Sequence, residues 1–92
     1  MLMVKGMAIL AYVLFKVASG TERDVAEKLT EFAEVVQADI VFGQYDVIAR
    51  VTVEDLEKLE ESVSHSIRNV PNVLVISTMI ISREYKGKNF RS

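Results

Sequence analysis

Apolar runs alternate with amphipathic segments along the chain. Tyr12 to Val17 is rich in β-branched and aromatic residues and predicts a strand. Gly20 and Thr21 break that run. Thr21-Glu22-Arg23-Asp24 has the form of a capping box, with a hydroxyl at the cap and a carboxylate three residues on. Val25, Ala26, Leu29, Phe32 and Ala33 then recur at helical spacing and predict one buried helix face. Val35 to Phe42 returns to a β pattern, Gly43-Gln44 suits a tight connection, and Tyr45 to Val51 predicts a third strand. Thr52-Val53-Glu54-Asp55 repeats the cap pattern. Leu56, Leu59, Val63 and Ile67 follow on one side of a helical wheel. Asn69 and Pro71 end this second helix, because a residue before proline is pushed out of the helical region. Val73 to Ile81 predicts a fourth strand, and the polar tail from Arg83 to Ser92 is expected to fray.

The two halves of the chain resemble each other. Thr21, Asp24, Val25 and Leu29 correspond to Thr52, Asp55, Leu56 and Leu59, and Tyr12 corresponds to Tyr45. The offset of about 31–33 residues is that of one βαβ unit. Two units in tandem give βαββαβ. The expected fold is an α+β ferredoxin-like plait, a four-stranded antiparallel sheet with both helices on one face.

The face without helices should be polar in a monomer. In the last strand, however, Leu74, Ile76 and Ile80 alternate with Val73, Val75, Met79 and Ile81, and in the first Val13, Phe15 and Val17 alternate with Tyr12 and Leu14. Both faces read as largely apolar. Burying one such side chain is worth ~1.5–3 kcal/mol, so the uncovered face holds on the order of 10 kcal/mol gross. Association costs ~4–15 kcal/mol. A homodimer joined sheet to sheet into an α/β sandwich is therefore expected.

Composition agrees. The 92 residues make one domain, residues 1–92, with a leader at 1–6 and a tail at 86–92 expected to be flexible. Half the residues are apolar and mean hydropathy is +0.23, which excludes general disorder. Net charge is −2 and the isoelectric point about 5.4, so a phosphate-backbone binder is not expected. With no cysteine and one histidine, thiolate chemistry and a multi-histidine metal site within one chain are excluded. No run approaches the ~20 apolar residues of a membrane span. Lys5, the run from Met7 to Phe15 and Ala18-Ser19-Gly20 imitate a signal peptide. Lys16 falls late in the run and the segment has a second copy, so a buried strand is preferred, in a cytoplasmic protein.

Chemistry-bearing residues are few. His65 lies opposite the apolar stripe of the second helix and is expected in solvent, without partners for general base catalysis. Glu54, Asp55, Glu57, Glu60 and Glu61 read as the wet face of that helix, with Glu54 and Lys58 spaced for an ion pair. Thr21, Ser62, Ser64 and Ser66 offer hydroxyls but no nucleophile arrangement. Phosphate-binding glycine motifs are absent, so an enzyme is not expected. The tetrad Gly43-Gln44-Tyr45-Asp46 carries more. It is either a hairpin turn or a place where backbone, a flat ring and a carboxylate meet a ligand. A carboxylate entering an apolar strand needs a partner or water.

From about Ala11 to Lys86 the sequence resembles the C-terminal ligand-binding domain of the Lrp/AsnC regulators, the RAM domain. The similarity rests on Gly43-x-Tyr45-Asp46, Val47-Ile48-Ala49-Arg50-Val51, Asp55-Leu56-Glu57-x-Leu59, Ile67-Arg68-Asn69-Val70-Pro71-Asn72-Val73 and Thr78. It implies dimers that assemble further into octamers or decamers, with amino-acid effectors between dimers. By the same resemblance Gly43, Gln44, Tyr45 and Asp46 would line the effector site with Thr52 and Ser77 or Thr78. Asp46 would meet an ammonium, and backbone amides freed by Gly43 a carboxylate. No cofactor or metal is implied. The first strand begins too early for a preceding helix-turn-helix, so a stand-alone or truncated domain that co-assembles with full-length regulators is expected. Asn72 stands where the family often has glycine, and Ile76 where many members are polar. The rival readings are a small cofactor-free oxygenase-like plait enzyme and a ligand-free assembly module.

Overall fold

The computed structural model describes residues 8–90. The expected leader at 1–6 and the last two tail residues lie outside that range. The elements are β1 (Ile9–Val17), α1 (Glu22–Leu29), β2 (Val35–Ile40), β3 (Val47–Val53), α2 (Leu56–Glu61) and β4 (Val73–Ile80). A π-helical turn, Ser62–Ser66, and a 3-10 turn, Ile67–Asn69, continue α2. The strands form one antiparallel sheet in the order β2-β3-β1-β4, the expected βαββαβ plait. The run that imitates a signal peptide is largely β1, a central strand of this sheet.

The alternation of β1 sets the core. Ala11, Val13, Phe15 and Val17 point to the helices and are buried. Their cross-strand neighbours Val47, Ala49 and Val51 are buried beside them. Val25 and Leu29 of α1 close the layer from above, with Leu59 and Ile67 from the second helical segment. α1 stops after Leu29, so Phe32 packs partly against the core from a turn and Ala33 is exposed, contrary to the helical spacing.

Both capping expectations are corrected. The Thr21 hydroxyl donates to the Ala18 carbonyl at 2.6 Å, and no side chain caps α1. The second cap is Asp55, not Thr52: its Oδ1 accepts the Lys58 N–H at 2.8 Å. Thr52 is still a strand residue opposite Leu10, so β3 runs two residues past the expected end. Asp55 is extended, at φ −156° and ψ 176°, the geometry of a residue turning into a helix.

The second helical stripe is also displaced. Leu59 and Ile67 are buried and Val63 is partly buried, but Leu56 is 57% exposed and Ser62 takes a buried position. The π turn breaks the 100° period from Ser62 onward, so a uniform wheel misplaces residues across it. Asn72 has φ 73°, the left-handed region, which asparagine tolerates better than other side-chain-bearing residues. Its carbonyl accepts the Ala18 N–H at 2.9 Å.

The open face is mixed, not largely apolar. Register places Tyr12 beside Arg50 and Met79, Leu14 beside Ile48 and Ser77, and Lys16 beside Val75. A belt of Tyr12, Leu14, Ile48, Val75 and Met79 thus runs between charged and polar side chains. Ile76 and Ile80, opposite Phe15 and Ala11, belong to the helix side. An irregularity between Lys16 and Val17 brings Val73 there too, away from Val75 and Met79. Residues 81–90 turn back beside Tyr12 and Met79, and Glu84 pairs with Arg50 at 3.2 Å.

Asp55→Ala should cost about 0.5–2 kcal/mol in urea unfolding at fixed protomer concentration, the value of a lost cap. Thr52→Ala should cost less than about 0.5 kcal/mol. A larger loss at Thr52 than at Asp55 would contradict this placement of the helix start.

Candidate functional site

The expected two-residue connection after β2 is a longer loop, residues 41–46, and Asp46 anchors it. The Asp46 N–H donates to the Phe15 carbonyl at 2.8 Å, and its own carbonyl accepts the Val41 N–H at 3.0 Å. Its Oδ2 accepts the Val17 N–H at 2.9 Å. The carboxylate therefore completes the end of the central strand, where the sheet ladder runs out. This answers the need of a half-buried carboxylate for a partner. Its second oxygen, Oδ1, makes no hydrogen bond among the described residues.

Gly43 has φ +151°, a conformation rare for any residue with a Cβ, and nothing lies within 4 Å of where that atom would stand. The loop so shaped forms one wall of an open cleft. Gly20, Glu22 and Arg23, at the start of α1, form the other wall, and Asp46 lines its interior. The half-buried Tyr45 lies outside this lining, with Lys16 Nζ 5.7 Å from its ring centroid. Exposed Gln44 also lies outside the cleft lining. A carboxylate, free backbone and a guanidinium around one cleft are suited to a small zwitterion.

The remaining expected residues stand elsewhere. Thr52 sits at the far end of β3, opposite Leu10, in a second cleft of about 570 Å³ between β3 and α2. Ser77 and Thr78 pair with Leu14 and Val13 and so face opposite sides of the sheet. Within one protomer Thr52, Ser77 and Thr78 do not converge on Asp46.

The second cleft joins Ser62, visible in the sequence only as a hydroxyl, to Glu34, which the spacing did not single out. The buried Ser62 hydroxyl donates to the Glu34 carboxylate, across the gap between the second helix and the turn before β2. His65 is exposed, as expected, and borders the same cleft. Serine at an inward position, three residues after Leu59, was the available signal for this pair. Glu22 and Arg23 were visible only as cap residues, because their approach to the 41–46 loop depends on the tertiary fold. Among the described residues no cluster of metal-ligating side chains is present, and no helix is long and apolar enough to cross a membrane.

Comparison with known proteins adds three findings. The Lrp/AsnC ligand binding domain model matches residues 10–89. The HTH-type transcriptional regulator FL11 of Pyrococcus horikoshii is 30% identical over 81 residues, covering 88% of this chain and 53% of the regulator. The chain therefore spans about half the length of the curated relatives it matches. Among solved structures, the hypothetical protein PHS023 from Pyrococcus horikoshii is 38% identical with a TM-score of 0.76, over 84% of this chain and 93% of that one. The NMB0573/L-Met complex of a Neisseria meningitidis transcriptional regulator shares the fold, with a TM-score of 0.77 at 15% identity, over 86% of this chain and 53% of that one.

Asp46→Ala leaves the Val17 N–H without its acceptor and should destabilise by about 1–3 kcal/mol in chemical denaturation at fixed protomer concentration. Asp46→Asn keeps an acceptor oxygen and should retain most of that stability. Equal losses in the two variants would show that the hydrogen bond to Val17 is not what Asp46 contributes.

Proposed function

The chain belongs to the Lrp/AsnC ligand-binding domain family, whose curated relatives are transcriptional regulators, and from that premise we propose that it is an amino-acid sensor working as an assembly. The effector's ammonium meets Asp46, and its carboxylate meets backbone amides of the 41–46 loop that Gly43 leaves open. The observation that carries this reading is that Asp46 lines the cleft while only one of its carboxylate oxygens, Oδ2, takes a hydrogen bond among the described residues. A carboxylate held by one oxygen keeps acceptor capacity on the other for a cation. The regulator NMB0573 was solved as a complex with L-Met, an effector of the same class.

The unit is a homodimer joined through the open sheet faces. The belt from Tyr12 to Met79 supplies apolar area, and Lys16 and Arg50 flank it with charge. Dimers assemble further, to an octamer or decamer, and effectors sit between them. Separation within one protomer supports that arrangement: Thr52, Ser77 and Thr78 reach an effector at Asp46 only from neighbouring copies. The ligand then shifts assembly toward the state it binds better, and full-length regulators sharing the assembly transmit the change to transcription. The role is non-enzymatic and cytoplasmic. It makes no direct DNA contact, in keeping with an isoelectric point of about 5.4.

The twenty amino acids, screened by thermal shift and then by calorimetry, should include at least one binder, and its N-acetyl derivative should not bind. Asp46→Asn, which keeps the Val17 contact, should weaken binding by about tenfold to a hundredfold, the loss of a charge-assisted contact of ~1.5–3 kcal/mol. Unchanged affinity in that variant, or no binder among the twenty, contradicts the reading.

A further inference from the structure

The side chain of Phe42 stands free of the molecule. It is fully exposed, in the 41–46 loop. Ile40, the last residue of edge strand β2, is 51% exposed. An aromatic ring held this far out contributes nothing to the protomer's own core. Water gains if the ring is buried elsewhere, and aromatic anchors at protein contacts commonly fill a pocket on the partner.

A receptor of matching chemistry lies on the opposite edge of the same sheet. Between α2 and β4 runs an apolar groove of about 330 Å³. Leu56, Leu59 and Val63 form one side, Thr78 and Ile80 the other. Leu56 and Ile80 are about half exposed there, because α2 does not cover the edge strand. The rims offer one opposite-charge pair, Arg23 against Glu60, with Glu22 and Asp46 also on the Phe42 side. Arg23 lines the cleft beside Phe42, and Glu60 lines the groove. Neither makes an ion pair among the described residues.

We infer that Phe42 of one copy inserts into the α2–β4 groove of a second copy of this chain, with Arg23 meeting Glu60 at the rim. The order β2-β3-β1-β4 puts knob and groove on opposite edges, so the contact is head to tail. Such contacts close a ring when the rotation between copies permits it and otherwise extend a filament. The contact uses neither the open sheet face nor the Asp46 carboxylate, though Arg23 and Phe42 also line the cleft that Asp46 lines. It rests on the proposed sheet-to-sheet dimer as the unit being joined, and it names the side chains that join one dimer to the next.

Light scattering coupled to gel filtration tests this on the whole chain at micromolar concentration. The unsubstituted protein should be larger than a dimer. Phe42→Ser and Leu56→Glu each alter an exposed side chain, should keep the circular dichroism spectrum, and should each run as dimers. Arg23→Glu should shift the particle toward the dimer, and adding Glu60→Arg should restore the larger mass. Full-sized particles from Phe42→Ser or Leu56→Glu overturn the contact, as does failure of the charge exchange to restore mass. An unsubstituted chain that stops at the dimer overturns this contact and leaves the sheet-to-sheet pairing standing. A monomer overturns both.

Discussion

A four-stranded sheet has two faces, and this chain supplies helices for one. Everything else in the molecule follows from how β1 divides its side chains. Ala11, Val13, Phe15 and Val17 go under the helices and vanish from solvent. Tyr12, Leu14 and Lys16 go to the other side, where Arg50, Ile48, Met79 and Val75 join them. A chain of this size buries only about 60–65% of its unfolded surface even when well folded. The belt on the open face, with Tyr12, Val75 and Met79 exposed, is an apolar reserve it has left. Its charged flanks keep it from being a uniform greasy plane, and they give a pairing face the means to choose one register over another.

The same strand also fixes the candidate site. Where β1 ends, its last amide lacks a ladder partner, and Asp46 reaches back to supply one. That bond and the Asp46 N–H on Phe15 hold the 41–46 loop against the sheet, and the Val41 N–H on the Asp46 carbonyl closes the loop on itself. A loop so tied keeps its backbone amides and its free carboxylate oxygen in place before any ligand arrives. In the proposed reading the structural and binding roles of Asp46 use different oxygens of one side chain, which is why asparagine and alanine there are expected to behave differently.

Much of this was legible in the residues. Apolar runs rich in β-branched and aromatic residues located all four strands, and the internal repeat gave the βαββαβ succession. The departures have local causes. Thr21 and Thr52 have the chemistry of caps, but Thr21 turns its hydroxyl onto Ala18, and Thr52 is claimed by the sheet pairing with Leu10. The π turn at Ser62–Ser66 shifts the buried arc of the second helix in a way that no fixed wheel can anticipate. The bulge between Lys16 and Val17 moved Val73 to the other face. At the site, Asp46 was visible as an anomaly, a carboxylate at the mouth of an apolar strand. Arg23 and Glu22 were not, because only the tertiary fold brings the start of α1 to that loop. Phe42 looked like the last residue of a strand, and its complete exposure could not be read from spacing.

Assembly and sensing are linked in this account, since the clefts and anchors of one copy become a site only against another. The most direct test is sedimentation equilibrium of the unsubstituted chain across the micromolar range. The account predicts a species no smaller than a dimer throughout. A compact monomer at every concentration would contradict it.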